Sequence, residues 1–598
     1  MRLIGRICLW FFAVVGFGTI LTAAIGIGVA VFFVKPTPEL PERLVLKLDL
    51  KGGVSDGNVD RPWDELLDRK SVTLRDIVAT LQRAGQDDRV AGVAVHLSDA
   101  PLGLVAAQEL RQGLADFRAG GKFAMGFAAS FDGPGNVMSR YLLASSLDSI
   151  WMQPSGTLAL TGIALEMPFI KDALDSLGVE AEFEQRHEYK SAVELFTRSG
   201  LSQPARQSLE KVVRTWMRQI LENVANDRKI PQEQLRALVD RAPLLSADAH
   251  DNGLIDVLGY KDGFEAAVKA RAGDDAYFIN LDAYAASLAP PPESAANVAL
   301  IYGVGPIESG RDENDVFSDQ SFSAAAFNHA LARAAADPEI SAIILRIDSP
   351  GGSYIASDSV RRAVLQAREQ GKVVIASMGA FAASGGYFAA MAADKVVAQP
   401  GTLTGSIGVF GGKFATEALW KKLGINWAQV TSGANAGMWS GIRPFSPEAA
   451  ARHRAIIDTI YTDFTEKVAA DRNIPAERID AVARGRVWTG EDAIDVGLVD
   501  ALGGLSTALD LAREALNLPK DAVLAVTVLP EKRSPLDRAL ALLERGGSIS
   551  EVTAAMAGYV QADPYSAILG KLEPVTGELG VFRAPVGVLQ LPAFRIAP

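Results

Sequence analysis

A single cysteine, Cys8, in 598 residues excludes an intrachain disulfide, so the fold rests on packing whatever the redox state around it. Histidine is also scarce. His96, His187, His250, His329 and His453 are scattered and form no H-x-x-x-H pair, so neither a metal nor any other cofactor is expected. Basic residues are outnumbered: 59 Lys and Arg face 71 Asp and Glu, giving a net charge of −12, and no Lys/Arg-rich run stands out. A phosphate backbone needs a basic face, so nucleic acid is not an expected partner. No P-loop and no G-x-G-x-x-G after a strand is present to hold a nucleotide.

What the chain has in excess is one apolar run. From Ile7 to Val34 there are 28 residues without a charge, preceded by Arg2 and Arg6 and followed by Lys35 and Pro36. About 20 apolar residues span a hydrocarbon core, whereas the apolar part of a cleaved signal peptide is about 7–15 residues long. The run therefore predicts a membrane anchor at 7–34. Arg2 and Arg6 place the short end 1–6 in the cytoplasm and the bulk of the chain on the periplasmic side of a bacterial inner membrane.

Beyond the anchor the chain repeats itself. Gly121-Lys122 matches Gly371-Lys372, and Gln153-Pro154 with Gly156-Thr157-Leu158 matches Gln399-Pro400-Gly401-Thr402-Leu403. Arg228-Lys229-Ile230-Pro231 matches Arg472-Asn473-Ile474-Pro475, and Gly253-Leu254-Ile255-Asp256 matches Gly497-Leu498-Val499-Asp500. Four matches in the same order, with an offset drifting only from 250 to 244, predict two tandem copies of one domain, 44–283 and 298–528. A Pro-rich linker (284–297) joins them, and a tail (529–598) of no evident role follows. Within the second copy, Asn297–Ile301 and Ser341–Ile347 read as strands, Ala356–Gln370 as a helix and Lys372–Ser377 as the next strand. This alternation implies βαβ units and parallel sheets, an α/β class.

Two Gly-rich segments at strand-to-helix junctions can carry chemistry. Asp348-Ser349-Pro350-Gly351-Gly352-Ser353 follows an apolar strand, and paired glycines there let bare backbone N–H groups approach a ligand. Gly379-Ala380-Phe381-Ala382-Ala383-Ser384-Gly385-Gly386-Tyr387 sets a serine at the start of a small-residue helix, where it either meets developing negative charge or simply caps the helix. Together with Thr404-Gly405-Ser406-Ile407-Gly408-Val409, these segments resemble the signal peptide peptidase A family in its long, duplicated form, over about residues 1–525.

The resemblance implies a Clp/crotonase-like fold and a Ser/Lys dyad, with Ser384 as nucleophile and Lys190, in His187-Glu188-Tyr189-Lys190-Ser191-Ala192, as general base. It also implies peptide substrates, in particular cleaved signal peptides, and a membrane-facing homotetramer. Gly352 and Gly385 are the candidate oxyanion donors, and Ser406 a candidate to orient the lysine amine. The repeat offset sets Ser384 opposite about Met138 and Lys190 opposite about Ala434, so each copy keeps a different half of one site. An ordinary lysine is protonated at neutral pH. Bringing it to a useful basicity by desolvation costs about 4 kcal/mol, which burial between the copies can supply. Three rival readings are weaker. A crotonase-like acyl-CoA enzyme sits badly with an export anchor. A vestigial scaffold does not account for complementary retention of Ser384 and Lys190. His187 as base lacks an evident acidic partner.

Overall fold

The computed structural model describes residues 40–57, 72–133, 136–288, 294–310 and 321–530, with the backbone of two short strands at 588–590 and 595–597. The anchor 7–34, the end 1–6, residues 289–293 of the linker and most of the tail lie outside the described residues. Among those described, no helix is long and apolar enough to cross a membrane.

The first copy begins with β1 (Leu44–Asp49), β2 (Val90–His96), β3 (Phe123–Ala128) and β4 (Ser149–Met152). It leaves its sheet for an arm strand, β5 (Glu180–Arg186), and returns as β6 (Val257–Leu258) and β7 (Tyr277–Asn280). The second copy follows with β8 (Ala296–Val304), β9 (Ile340–Ser349), the short β10 (Gly351–Ser353), β11 (Val373–Ala383), β12 (Lys395–Ala398), β13 (Val409–Ala415), β14 (Ala501–Leu502) and β15 (Leu524–Leu529). The first sheet runs β6-β4-β3-β2-β1-β7 and the second contains β14-β12-β11-β9-β8-β15, the same order with every pairing parallel. The duplication read from short motifs is therefore a duplicated α/β fold.

Parallel sheets are covered on both faces, and the sequence provides for that. Along β9, Ile343, Leu345 and Ile347 enter one core while Ala342 and Ile344 enter another on the opposite face. The repeated motifs are the joints of this architecture. Helices Gln203–Arg228 and Pro447–Asp471 are capped by Ser202 and Ser446, whose side chains accept from the N–H of Ala205 and Ala449. Just past their ends, Lys229 and Asn473 turn left-handed (φ 54° and 51°), Ile230 and Ile474 are buried, and a proline follows. Arg228 then pairs with Asp256 (2.6 Å), and Arg472 with Asp500 (2.8 Å). The same carboxylates accept from the N–H of Ile150 and of Val396, both at 2.7 Å. Tyr141 and Tyr387 donate to the carbonyls of Leu254 and Leu498.

The copies interlock. The arm strand β5 pairs antiparallel with β13 over its whole length, from Arg186 opposite Val409 to Glu180 opposite Ala415. Phe183 and Phe196 of the first copy pack around Phe414 of the second, at ring-centroid distances of 5.1 and 5.3 Å, each such pair adding about 1 kcal/mol beyond burial. Trp216 donates to the Gly401 carbonyl (2.9 Å), and Gly401 N–H donates to Gln108 (2.9 Å).

Strand β11 runs six residues beyond the end expected from sequence, through the Gly-rich segment to Ala383. The reason is a bulge: Ile347 pairs with Met378 but Ser349 with Ala382, so two residues of β9 oppose four of β11. The carboxylate of Asp348 accepts from the N–H of Phe381 (2.9 Å), serving the bulge where the ladder cannot.

Candidate active site

Ser384 sits immediately after β11, at the start of helix Gly385–Ala390. Its backbone has φ 57° and ψ −114°, a conformation that costs a non-glycine residue about 1–3 kcal/mol. Surrounding bonds hold it: its N–H donates to Gly405 O (2.7 Å), and its carbonyl accepts from Phe388 N (2.9 Å). Its hydroxyl makes no capping bond to the helix, so the capping role weighed from sequence is not the one it plays.

The hydroxyl instead meets Lys190. Nζ lies 2.7 Å from Ser384 Oγ, 3.0 Å from Ser406 Oγ and 3.1 Å from Ser406 O. Lys190 arrives from the end of the arm: β5 delivers the chain beside β13, Tyr189 N donates to Arg484 O, and Lys190 N donates to His187 O. Lys190, Ser384 and Ser406 are all 0% exposed. Burial pushes the Lys190 amine far below the ordinary lysine range, and no carboxylate opposes that shift. A neutral amine has two N–H donors and one lone pair. Two acceptors on Ser406 and one hydroxyl on Ser384 match that inventory, with Ser384 donating to the lone pair.

The two candidate oxyanion glycines are neighbours. A Cβ on Gly385 would lie 3.0 Å from Gly352 N and 2.6 Å from Ser357 Oγ, and one on Gly352 would lie 2.1 Å from Ile307 O. Backbone leaves no room for a side chain at Gly352, and at Gly385 a side chain would displace Ser357 and crowd the Gly352 N–H. His187 packs its ring edge-on against Tyr461 (4.6 Å). Across the pseudo-repeat, the matched tyrosines Tyr141 and Tyr387 set buried Met138 opposite Ser384, and the matched Arg228 and Arg472 set exposed Ala434 opposite Lys190. One site is shared by the two copies.

Two features escaped the sequence reading. Gly485 (φ 82°) lies against the lysine backbone, where a Cβ would stand 2.4 Å from Lys190 N; its place in Arg484-Gly485-Arg486 is the only hint sequence offers. The other is a strand from the tail, β16 (Val588–Gln590), inserted between β10 and β13 and antiparallel to both. Gly352 pairs with Leu589 and Phe410 with Val588. The edges of β10 and β13 thus bound a slot one strand wide beside the dyad.

Known proteins place this geometry in context. The model of peptidase family S49 matches residues 134–274 and 366–519, one stretch in each copy. Protease 4 of Salmonella typhi is 33% identical over 465 residues, 75% of this chain and 72% of that protein. The chloroplastic serine protease SPPA of Arabidopsis thaliana is 29% identical over 504 residues, 81% of this chain and 71% of that protein. A relative from Enterococcus faecium with the provisional name signal peptide peptidase SppA is 28% identical over 233 residues, 39% of this chain and 68% of that protein. With a serine and a lysine buried in contact between two copies of one α/β fold, and relatives of this kind along most of its length, the chain belongs to peptidase family S49 and is a serine protease.

Proposed function

We propose that Ser384 is the nucleophile and Lys190 the general base of a membrane-anchored endopeptidase that degrades cleaved signal peptides and other extended exported segments. The observation that carries the reading is the 2.7 Å contact between a fully buried hydroxyl and a fully buried amine that burial holds neutral. Lys190 takes the proton as Oγ attacks the scissile carbonyl, forming the acyl-enzyme bond. The ammonium so formed is held by both Ser406 oxygens until it protonates the leaving amine. The N–H groups of Gly352 and Gly385 face the oxyanion, and water then hydrolyses the ester with Lys190 again as base. The substrate lies as an antiparallel strand in the slot between β10 and β13, the place taken here by Val588–Gln590.

Signal peptides suit this slot because they are apolar, lie in the membrane beside the anchor and, once drawn out of it, have no tertiary fold to oppose an extended backbone. The Enterococcus faecium relative, whose provisional name is signal peptide peptidase, supports that class. A homotetramer is supported by the second copy's counterpart of the arm, which leaves Leu423, Ile425, Trp427, Val430 and Trp439 exposed; a second copy of the chain would cover them.

A serine-directed phosphonate should label Ser384 and stop peptide hydrolysis in proportion, while chelators leave the rate unchanged. Label on another serine, or full activity after complete labelling of Ser384, would refute the dyad. The orientation has its own check. In intact cells the chain beyond Pro36 should resist added protease, and it should be digested once the outer membrane is opened; digestion from the cytoplasmic side would reverse the topology.

A further inference from the structure

One cluster of buried charge lies outside the dyad, where the first copy meets β9 and β11. Arg346 on β9 is 1% exposed. Its guanidinium donates through Nε and Nη2 to both oxygens of Asp56 (2.8 Å each), through Nη2 to Glu109 Oε2 (2.8 Å) and through Nη1 to Ser377 Oγ (2.9 Å). Asp56 and Glu109 belong to the first copy. Glu109 Oε1 also accepts from the N–H of Leu505, so its carboxylate ties two elements of the second copy together. Two residues along the same strand from Arg346, Asp348 accepts from the Phe381 N–H of the bulge. A Cβ on Gly379, at the start of that bulge, would lie 2.6 Å from Asp56 Oδ2 and 2.8 Å from Asp348 Cβ, so the two acids flank it. The loop carrying Asp56 touches the second copy again at Gly57, against Val304.

The bulge is the route by which β11 reaches the strained backbone of Ser384, five residues past Gly379. Its entrance is held at Ser377 by Arg346, its last residue, Phe381, by Asp348, and its first residue is walled by Asp56. We propose that Asp56, acting with Glu109 through Arg346, is a positioning residue of the proteolytic site: it fixes the Gly379–Phe381 bulge against the first copy and so sets Ser384 at bonding distance from Lys190. This rests on the Ser384/Lys190 reading. The first copy would then contribute the base by one route and the nucleophile's alignment by another.

Protonation enters because one guanidinium faces three carboxylates. Asp56 is pushed up to about 7 by burial, with Asp348 and Glu109 adding to the rise and Arg346 opposing it. Asp348 is raised by burial as well. Tyr302 on β8 is within electrostatic reach of Asp56 and of the Arg75–Asp76 pair on helix Leu74–Gly85. The two-pronged bond to Arg346 needs ionised Asp56, so the clamp tightens as pH rises through about 7 and loosens below it.

The test uses the full chain in detergent with a fluorogenic apolar peptide and a serine-directed phosphonate. Asp56→Asn should lower kcat and the rate of Ser384 labelling about 100-fold, the scale of a 1 Å misplacement, with KM within two-fold and the final labelled fraction unchanged. Its acid limb of log kcat against pH should be shallower, since asparagine cannot take the proton that Asp56 takes. A kcat and acid limb within two-fold of wild type would overturn the proposal. So would a loss seen only in the labelled fraction, which is loss of folded protein. Should Asp56→Asn fail to fold, Glu109→Gln, which keeps the bond to Leu505, is read by kcat, labelling rate, KM and labelled fraction, with a loss of about 10-fold expected in the first two and a kcat within two-fold of wild type overturning the proposal. Ser384→Ala runs in parallel. If it retains hydrolysis the dyad itself is wrong; if it is dead while Asp56→Asn is fully active, only the positioning role falls.

Discussion

Lys190→Met should abolish peptide hydrolysis, lowering kcat by about four orders of magnitude or more while the fold is retained, and Ser384→Ala should do the same. Methionine fills the lysine's volume without an amine, so the serine hydroxyl loses its only basic partner among the described residues. In the wild type, kcat should rise with pH as the Lys190 amine loses its proton, well below an ordinary lysine because of burial, with the Asp56 titration steepening the same limb. Stability gives a second readout with a definite sign. The folded amine binds its proton more weakly than the unfolded one, so folding is favoured above the unfolded value of about 10.4, and that advantage is lost as pH falls toward the folded value. Between the two, wild-type stability should climb with pH by about 1.4 kcal/mol per pH unit, and Lys190→Met should lack that slope. The methionine leaves the Ser406 and Ser384 oxygens unpaired, which shifts the absolute stability but not the slope. A titration near 10 in the kcat profile, or an unchanged slope in the variant, would remove Lys190 from the mechanism.

Gly485→Ala is expected to cut activity about 100-fold although residue 485 is not part of the dyad. The new methyl would stand 2.4 Å from Lys190 N and 2.6 Å from its Cα, both backbone atoms, at a position whose φ of 82° already disfavours alanine. Backbone cannot swing aside as a side-chain end can, so the lysine or the turn must move. A displacement of about 1 Å at the base costs on the order of 100-fold in kcat. Gly253→Ala makes the control. It also has a positive φ (74°), but its nearest neighbour is a side-chain methyl at 3.9 Å, far from the dyad, so backbone strain alone is present. Similar kcat values for the two variants, each corrected for active-site titre, would show that Gly485 does not set the lysine.

Sequence carried the site's main pieces because each was local. The Arg-x-Ile-Pro and Gly-Leu-x-Asp repeats are legible since each motif performs a short-range task, a left-handed helix end or an Arg–Asp joint, which folding then repeats 244 residues later. Ser384 and Lys190 are legible through the resemblance of their segments to the signal peptide peptidase A family, and the break in the repeat at Met138 and Ala434 supports them. What could not be read is non-local chemistry. Asp56 and Glu109 look like ordinary surface acids until the copies dock and Arg346 lies between them. The extension of β11 to Ala383 depends on a bulge whose N–H groups are met by a side chain of another strand, and no periodicity encodes that. The β16 pairing joins residues more than 170 positions apart, between a glycine pair and a tail whose composition gives no clue to its place.

A slot one strand wide has a consequence for what the protease leaves alone. Its edges pair through backbone groups that every polypeptide carries, so side-chain recognition contributes little to keeping bystanders out. Foldedness does that work instead. A chain enters only after surrendering its own sheet or helix over several residues, and a domain stable by about 5–15 kcal/mol is globally open for only about one part in 10^4 to 10^11 of the time. The rate of attack scales with that open fraction wherever opening and closing are fast. If the slot takes substrate as proposed, folded proteins it meets are spared by their stability, and a fragment with no fold to lose is exposed at every encounter. The enzyme measures whether a chain has anything left to unfold.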